Sequence, residues 1–108
     1  MDETGVTRWE SVCTVDELPV GDVIRVDLDG KAYAVYHTQS GFYATEGLCT
    51  HERASLADGL VEGEIVVCPK HNSRFHIPTG KALRIPAKVD LKTYPVKREG
   101  RKVLIGIA

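Results

Sequence analysis

Two short stretches hold most of the side chains that could do chemistry. Residues 48–56 read LCTHERASL and residues 67–75 read VCPKHNSRF. Each supplies one cysteine and one histidine, as Cys49-x-His51 and as Cys68-x-x-His71. Thiolate and imidazole are ligands suited to zinc or iron. A single zinc ion in a Cys2His2 site ordinarily takes its cysteines from one segment and its histidines from another. Here each stretch gives one of each, which suits two metal ions better than one. With two irons bridged by sulfide, Cys49 and Cys68 would hold one iron and His51 and His71 the other. A mononuclear zinc-binding structural or interaction module stays open on the residues alone.

The elements that must position these loops are short. The chain has 108 residues, 43% of them hydrophobic and 27% charged, which is ordinary for one soluble globular domain. The spacing predicts a hairpin over residues 22–38 through Asp29-Gly30, a strand over 41–47, a β-branched strand over 64–68 and another over 73–77. Residues 91–100 and 101–108 read as a closing hairpin through Glu99-Gly100. Residues 14–22 allow at most one helical turn, because Pro19 and Gly21 interrupt them. The expectation is a single all-β domain over 1–108, an antiparallel sandwich or barrel that presents the two loops, about 47–56 and 67–76. Loops on a rigid β scaffold are where function is usually carried.

Composition excludes several classes. The formal net charge is −1, which gives no case for nucleic acid. No apolar run is long enough to span a bilayer as a helix. The start, MDETGVTRWE, is acidic and does not read as a secretory signal, so the cytoplasm is the expected compartment. Three cysteines cannot complete a disulfide framework in one chain. Charge is unevenly spread: residues 2–30 carry eight acids and residues 81–108 eight bases. Pairing of terminal strands would let much of this cancel.

Cys-Thr-His at 49–51 and Cys-Pro-Lys-His at 68–71 resemble the two cluster-binding boxes of Rieske [2Fe–2S] proteins. ADGLVEGEIVVCPKH and GKALRIPAKVDLKTYPVK resemble the box-joining and C-terminal segments of Rieske ferredoxins from bacterial ring-hydroxylating oxygenase systems. The resemblance covers nearly the whole chain. It implies a Rieske-type β fold, one [2Fe–2S] cluster per chain and a soluble, monomeric electron carrier that is not itself a catalyst. The partners it implies are a flavin-dependent NAD(P)H reductase and a terminal Rieske non-haem iron oxygenase. A Rieske-like small subunit of another reductase, such as nitrite reductase, is the nearest alternative.

The resemblance also assigns neighbours of the ligands. Respiratory relatives bridge the two loops with a disulfide, but Ala54 and Lys70 stand at those positions. They also use a tyrosine hydroxyl beside a cysteine ligand, where this chain has Phe75. Both departures point to the lower part of the Rieske range of about −150 to +300 mV. Ser73 matches a serine that donates to a bridging sulfide, which would raise the potential modestly. Pro69 is expected to shape its loop, and Pro86, in IPAK, resembles the proline loop that covers the cluster. Glu52, Arg53 and Lys70 are candidates for partner contact. His37 and His76 fall outside ligand spacing, and Cys13 reads as a small buried apolar residue.

Overall fold

The Asp29-Gly30 turn shows how local chemistry organises the chain. Both residues have positive φ, 53° and 78°. That is the type I′ geometry whose twist matches a two-residue hairpin. In the computed structural model, which describes residues 6–49, 54–70, 72–84 and 89–107, the elements are almost entirely strands. In chain order they are β1 (Arg8–Thr14), β2 (Val23–Leu28), β3 (Lys31–Thr38), β4 (Gly41–Glu46), β5 (Leu60–Glu62), β6 (Ile65–Val67), β7 (Arg74–His76), β8 (Ala82–Arg84), β9 (Thr93–Tyr94), β10 (Val96–Glu99) and β11 (Lys102–Ile107). Short 3₁₀ turns at Val15–Glu17 and Leu56–Asp58 complete the set, so the single helical turn expected after residue 14 is present. The strands β1, β5 and β8 were not anticipated.

The strands form three antiparallel sheets, ordered β1-β11-β10, β2-β3-β4-β9 and β5-β6-β7-β8. The terminal strands pair as expected, with Arg8 opposite Ile107 and Thr14 opposite Lys102. Charge cancels only in part. Asp16 meets Arg101, and the Lys97 ammonium sits 4.4 Å from the centroid of the Trp9 ring. The predicted C-terminal hairpin changes sheets at Pro95: β9 pairs with β4, whereas β10 pairs with β11. Proline has no N–H to continue a ladder, while its carbonyl still accepts from the Gly106 N–H at 2.8 Å.

β3 lies between two cores. Its residues Tyr33, Ala34, Val35 and Tyr36 are all buried. Tyr33 and Val35 face one way, onto Cys13, Leu18, Tyr94, Val103 and Ile105. Ala34 and Tyr36 face the other, onto Leu56, Val66, Phe75 and Ile77. Alternation along a strand requires this division. The second core holds the β5-β6-β7-β8 sheet against the base. That sheet belongs to residues 47–92, a segment inserted between the neighbouring strands β4 and β9. Its ends are pinned together: Glu46 N–H donates to the Lys92 carbonyl at 2.9 Å, and Lys92 N–H donates to Glu46 Oε2 at 2.7 Å.

Candidate metal centre

The two cysteine stretches are unequal in ligand spacing but alike in backbone closure. Cys49 N–H donates to the Ala54 carbonyl at 2.8 Å, and Cys68 N–H donates to the Ser73 carbonyl at 2.7 Å. Each bond runs from a cysteine to the residue five positions on. The first loop is closed again by the Leu48–Ser55 bridge and by Leu56 N–H to the Gly47 carbonyl, 2.9 Å. In the second loop Asn72 takes the left-handed conformation, φ 55°, which asparagine tolerates better than most residues. The loops are therefore similar frames for different spacings.

Both thiols are buried, Cys49 at 1% exposure and Cys68 at 0%, and neither is in a disulfide. They share the second core with Leu56, Phe75, Ile77 and Leu91. The loops meet through Gly59, where a Cβ would collide with the Val67 carbonyl oxygen. Glycine is what lets the exit of the first loop pass against the entrance to the second.

His51, His71, Glu52, Arg53 and Pro86 lie outside the described residues, so the four expected ligands are represented by the two cysteines. Among the described residues no group of three or more metal-binding side chains comes together. Phe75 is fully buried in the core beneath the loops. Tyr36, the buried tyrosine of the same core, has its hydroxyl 2.8 Å from Thr45 Oγ1, and burial pushes its pKa upward. Ala54 is half-buried, while Pro69 and Lys70 are exposed. His37 Nδ1 lies 2.7 Å from the Leu18 carbonyl with its ring stacked on Phe42, and His76 Nδ1 lies 2.8 Å from Thr79 Oγ1. Both partners are structural: Thr79 is three residues from His76, and Leu18 is brought to His37 by the fold. Cys13 is buried in the first core, and desolvation raises its pKa.

Ser73 tests whether these loops fit an iron–sulfur group. Its side chain is fully buried and its Oγ has no hydrogen-bond partner among the described residues. A buried hydroxyl left unpaired costs about 1–3 kcal/mol, so its presence calls for an acceptor between the loops. Two buried thiols and one unused donor match a cluster with thiolate ligands and sulfide acceptors. Sequence reasoning overlooked another feature of this end of the sheet. Leu60, Leu83 and Val89 are exposed by 65%, 47% and 63%. Leu60 pairs with Val67, which pairs with Arg74, and Leu83 lies at the bulge where Arg74 and Phe75 meet β8. In the sequence these three look like ordinary strand residues, and only the sheet order places Leu60 and Leu83 beside the cysteine loops.

The comparisons with known proteins agree with this geometry. The family model described as Rieske [2Fe-2S] domain matches residues 8–95. The ferredoxin component of a naphthalene 1,2-dioxygenase system from Pseudomonas aeruginosa is 43% identical over 101 residues, covering 94% of this chain and 97% of that protein. The solved structure of a Sphingomonas yanoikuyae B1 ferredoxin superposes with a TM-score of 0.88 at 35% identity, covering 94% of this chain and all of that one. A chain from a complex of reduced oxygenase and oxidized ferredoxin in carbazole 1,9a-dioxygenase gives a TM-score of 0.87 at 34% identity, covering 91% and 92% of the two chains. These matches leave no place for a separate zinc module: the chain belongs to the Rieske [2Fe–2S] family.

Proposed function

We propose that the protein is a one-electron carrier, serving between an NAD(P)H-dependent flavoprotein reductase and a terminal aromatic-ring-hydroxylating oxygenase. The observation that carries this reading is the pair of buried thiols on matched loops beside the unpaired hydroxyl of Ser73. Cys49 and Cys68 would hold one iron of a Rieske cluster, and His51 and His71 the other. When bound, the cluster supplies a one-electron couple, and its two neutral imidazoles set a higher potential than four thiolates would.

The chain's own residues do the rest. Leu56, Val66, Phe75 and Ile77 exclude water from the thiolate side. The two loop closures fix the backbone on either side of the ligands, and Pro69 narrows what the second loop can adopt. Leu60 and Leu83 give the cysteine-bearing end of the sheet exposed apolar side chains. A docked oxygenase or reductase would bury them, and the exposed Lys70, two residues after Cys68, would favour an acidic partner surface. Pro86, Glu52 and Arg53 belong to the same reading as cover and partner contacts. No helix among the described residues is long and apolar enough to cross a membrane. The reading takes the carrier as a cytoplasmic monomer, because its reductase would draw on NAD(P)H there.

Composition of the purified protein tests this function. It is expected to be red-brown, with two irons and two acid-labile sulfides per chain. Replacement of Cys49, His51, Cys68 or His71 by alanine should abolish both the colour and the transfer of electrons from reductase to oxygenase. Colourless protein carrying one zinc would overturn the reading.

A further inference from the structure

At the far end of β6 from Cys68, the turn between β5 and β6 meets the turn between β3 and β4. Gly63 of the first turn has φ 61°, which leaves Glu64 facing the second. Ser40 Oγ donates to Glu64 Oε1. With its single proton committed there, Ser40 accepts from the Tyr43 hydroxyl at 2.7 Å. The Tyr43 ring in turn packs against the core that contains Cys49 and Cys68. The Glu64 main chain is engaged as well, its carbonyl accepting from Ile77 N–H at 2.7 Å.

This contact bridges a gap in the packing. A cavity of about 240 Å³ lies beside it, lined by Val20, Gly21, Thr38, Gln39, Gly63 and Glu64. Side-chain packing therefore does not hold the two turns together here. The hydroxyls of Ser40 and Thr38, with His76 across on β7, keep the Glu64 carboxyl below the usual carboxylate range. Its second oxygen, Oε2, is buried without a hydrogen-bond partner. An ionised group held by hydroxyls of the facing turn is well suited to fixing orientation.

We propose that Glu64 is a positioning residue for the metal centre: through Ser40 and Tyr43 it locks the cluster-bearing sheet onto the base and so fixes where β6 delivers Cys68. Four residue steps of extended chain carry Glu64 to Cys68, about 13 Å. A stiff three-residue strand transmits a tilt at one end to the other. The proposal rests on Cys68 being a ligand.

The test compares Glu64→Gln, Glu64→Ala, Ser40→Ala and the double variant Ser40→Ala/Glu64→Ala, with Glu62→Gln as control. Glu62 lies on the same hairpin but pairs with Arg74 at the surface. Two quantities are read: the rate at which the visible colour bleaches in excess iron chelator, and the electron paramagnetic resonance g-values of the reduced protein. Glu64→Ala and Ser40→Ala should each bleach about ten- to a hundredfold faster, as loss of a charge-assisted hydrogen bond implies. The double variant should be no faster than either single one. Glu64→Gln, which can still accept from Ser40, should recover part of the difference. The g-values should move in the alanine variants and stay fixed in Glu62→Gln. Additive effects, unchanged g-values, or a control as fast as Glu64→Ala would overturn the positioning role. A Cys68→Ser variant that kept a wild-type cluster would instead remove the ligand assignment, whatever Glu64 does.

Discussion

Ser73 offers a perturbation whose sign reverses between the metal-free and the cluster-bearing protein. Its Oγ is buried and unpaired among the described residues. In the loaded protein we expect that hydroxyl to donate to a sulfide. A hydrogen bond to a neutral acceptor contributes about 0.5–1.5 kcal/mol and one to a charged acceptor about 1.5–3 kcal/mol. Reduction would add one negative charge to the cluster that carries the acceptor sulfide, and on the scale of that difference the bond would strengthen by about 1 kcal/mol. A one-electron couple moves 59 mV for each tenfold change, and a tenfold change is about 1.4 kcal/mol. Ser73→Ala should therefore lower the midpoint potential by about 40 mV, measured by spectroelectrochemical titration of the purified variant. In metal-free protein the same substitution removes an unsatisfied polar group, and the thermal midpoint should rise by about 4 °C. A potential that stays put or rises would refute the reasoning, because the hydroxyl would then be making no bond that reduction strengthens.

Two further outcomes follow from the described packing. Leu60→Asp and Leu83→Asp should leave the visible spectrum unchanged but raise the KM for the carrier at least about fivefold in a coupled assay with the oxygenase, which is the effect of losing a contact worth about 1 kcal/mol. Gly59→Ala should lower the thermal midpoint of the loaded protein by about 8 °C or more, because its Cβ meets the Val67 carbonyl and the backbone before Cys68 must shift.

The hairpins were legible because their signals are local. Asp29-Gly30 forms the turn that the spacing places there, and the C-terminal turn falls one residue later than expected, at Gly100-Arg101, because Glu99 still pairs with Lys102. β1 was missed because RWESVCT has no clean alternation, and its partner β11 lies at the other end of the chain. β5 and β8 have three residues each, too few for a period to register. The candidate site divides the same way. Cys49 and Cys68 announce themselves by type and spacing. The burial of Ser73, the collision that reserves position 59 for glycine and the Ser40–Glu64 contact depend on residues brought together by sheet order. No pattern within either stretch encodes them.

The insertion of residues 47–92 between two adjacent strands has a consequence for assembly. Bringing the ends of a 46-residue segment together carries a length-dependent entropic cost of about 3 kcal/mol. The base meets that cost when β4 pairs with β9 and Glu46 clasps Lys92. Incoming iron and sulfide then have only short local closures left to complete. The cluster half thus enters and leaves the scaffold at one place, although it packs on β3 and on Tyr43 beyond it. A different ligand set could be installed between Glu46 and Lys92 provided that the face carrying Ala34, Tyr36 and Tyr43 is kept.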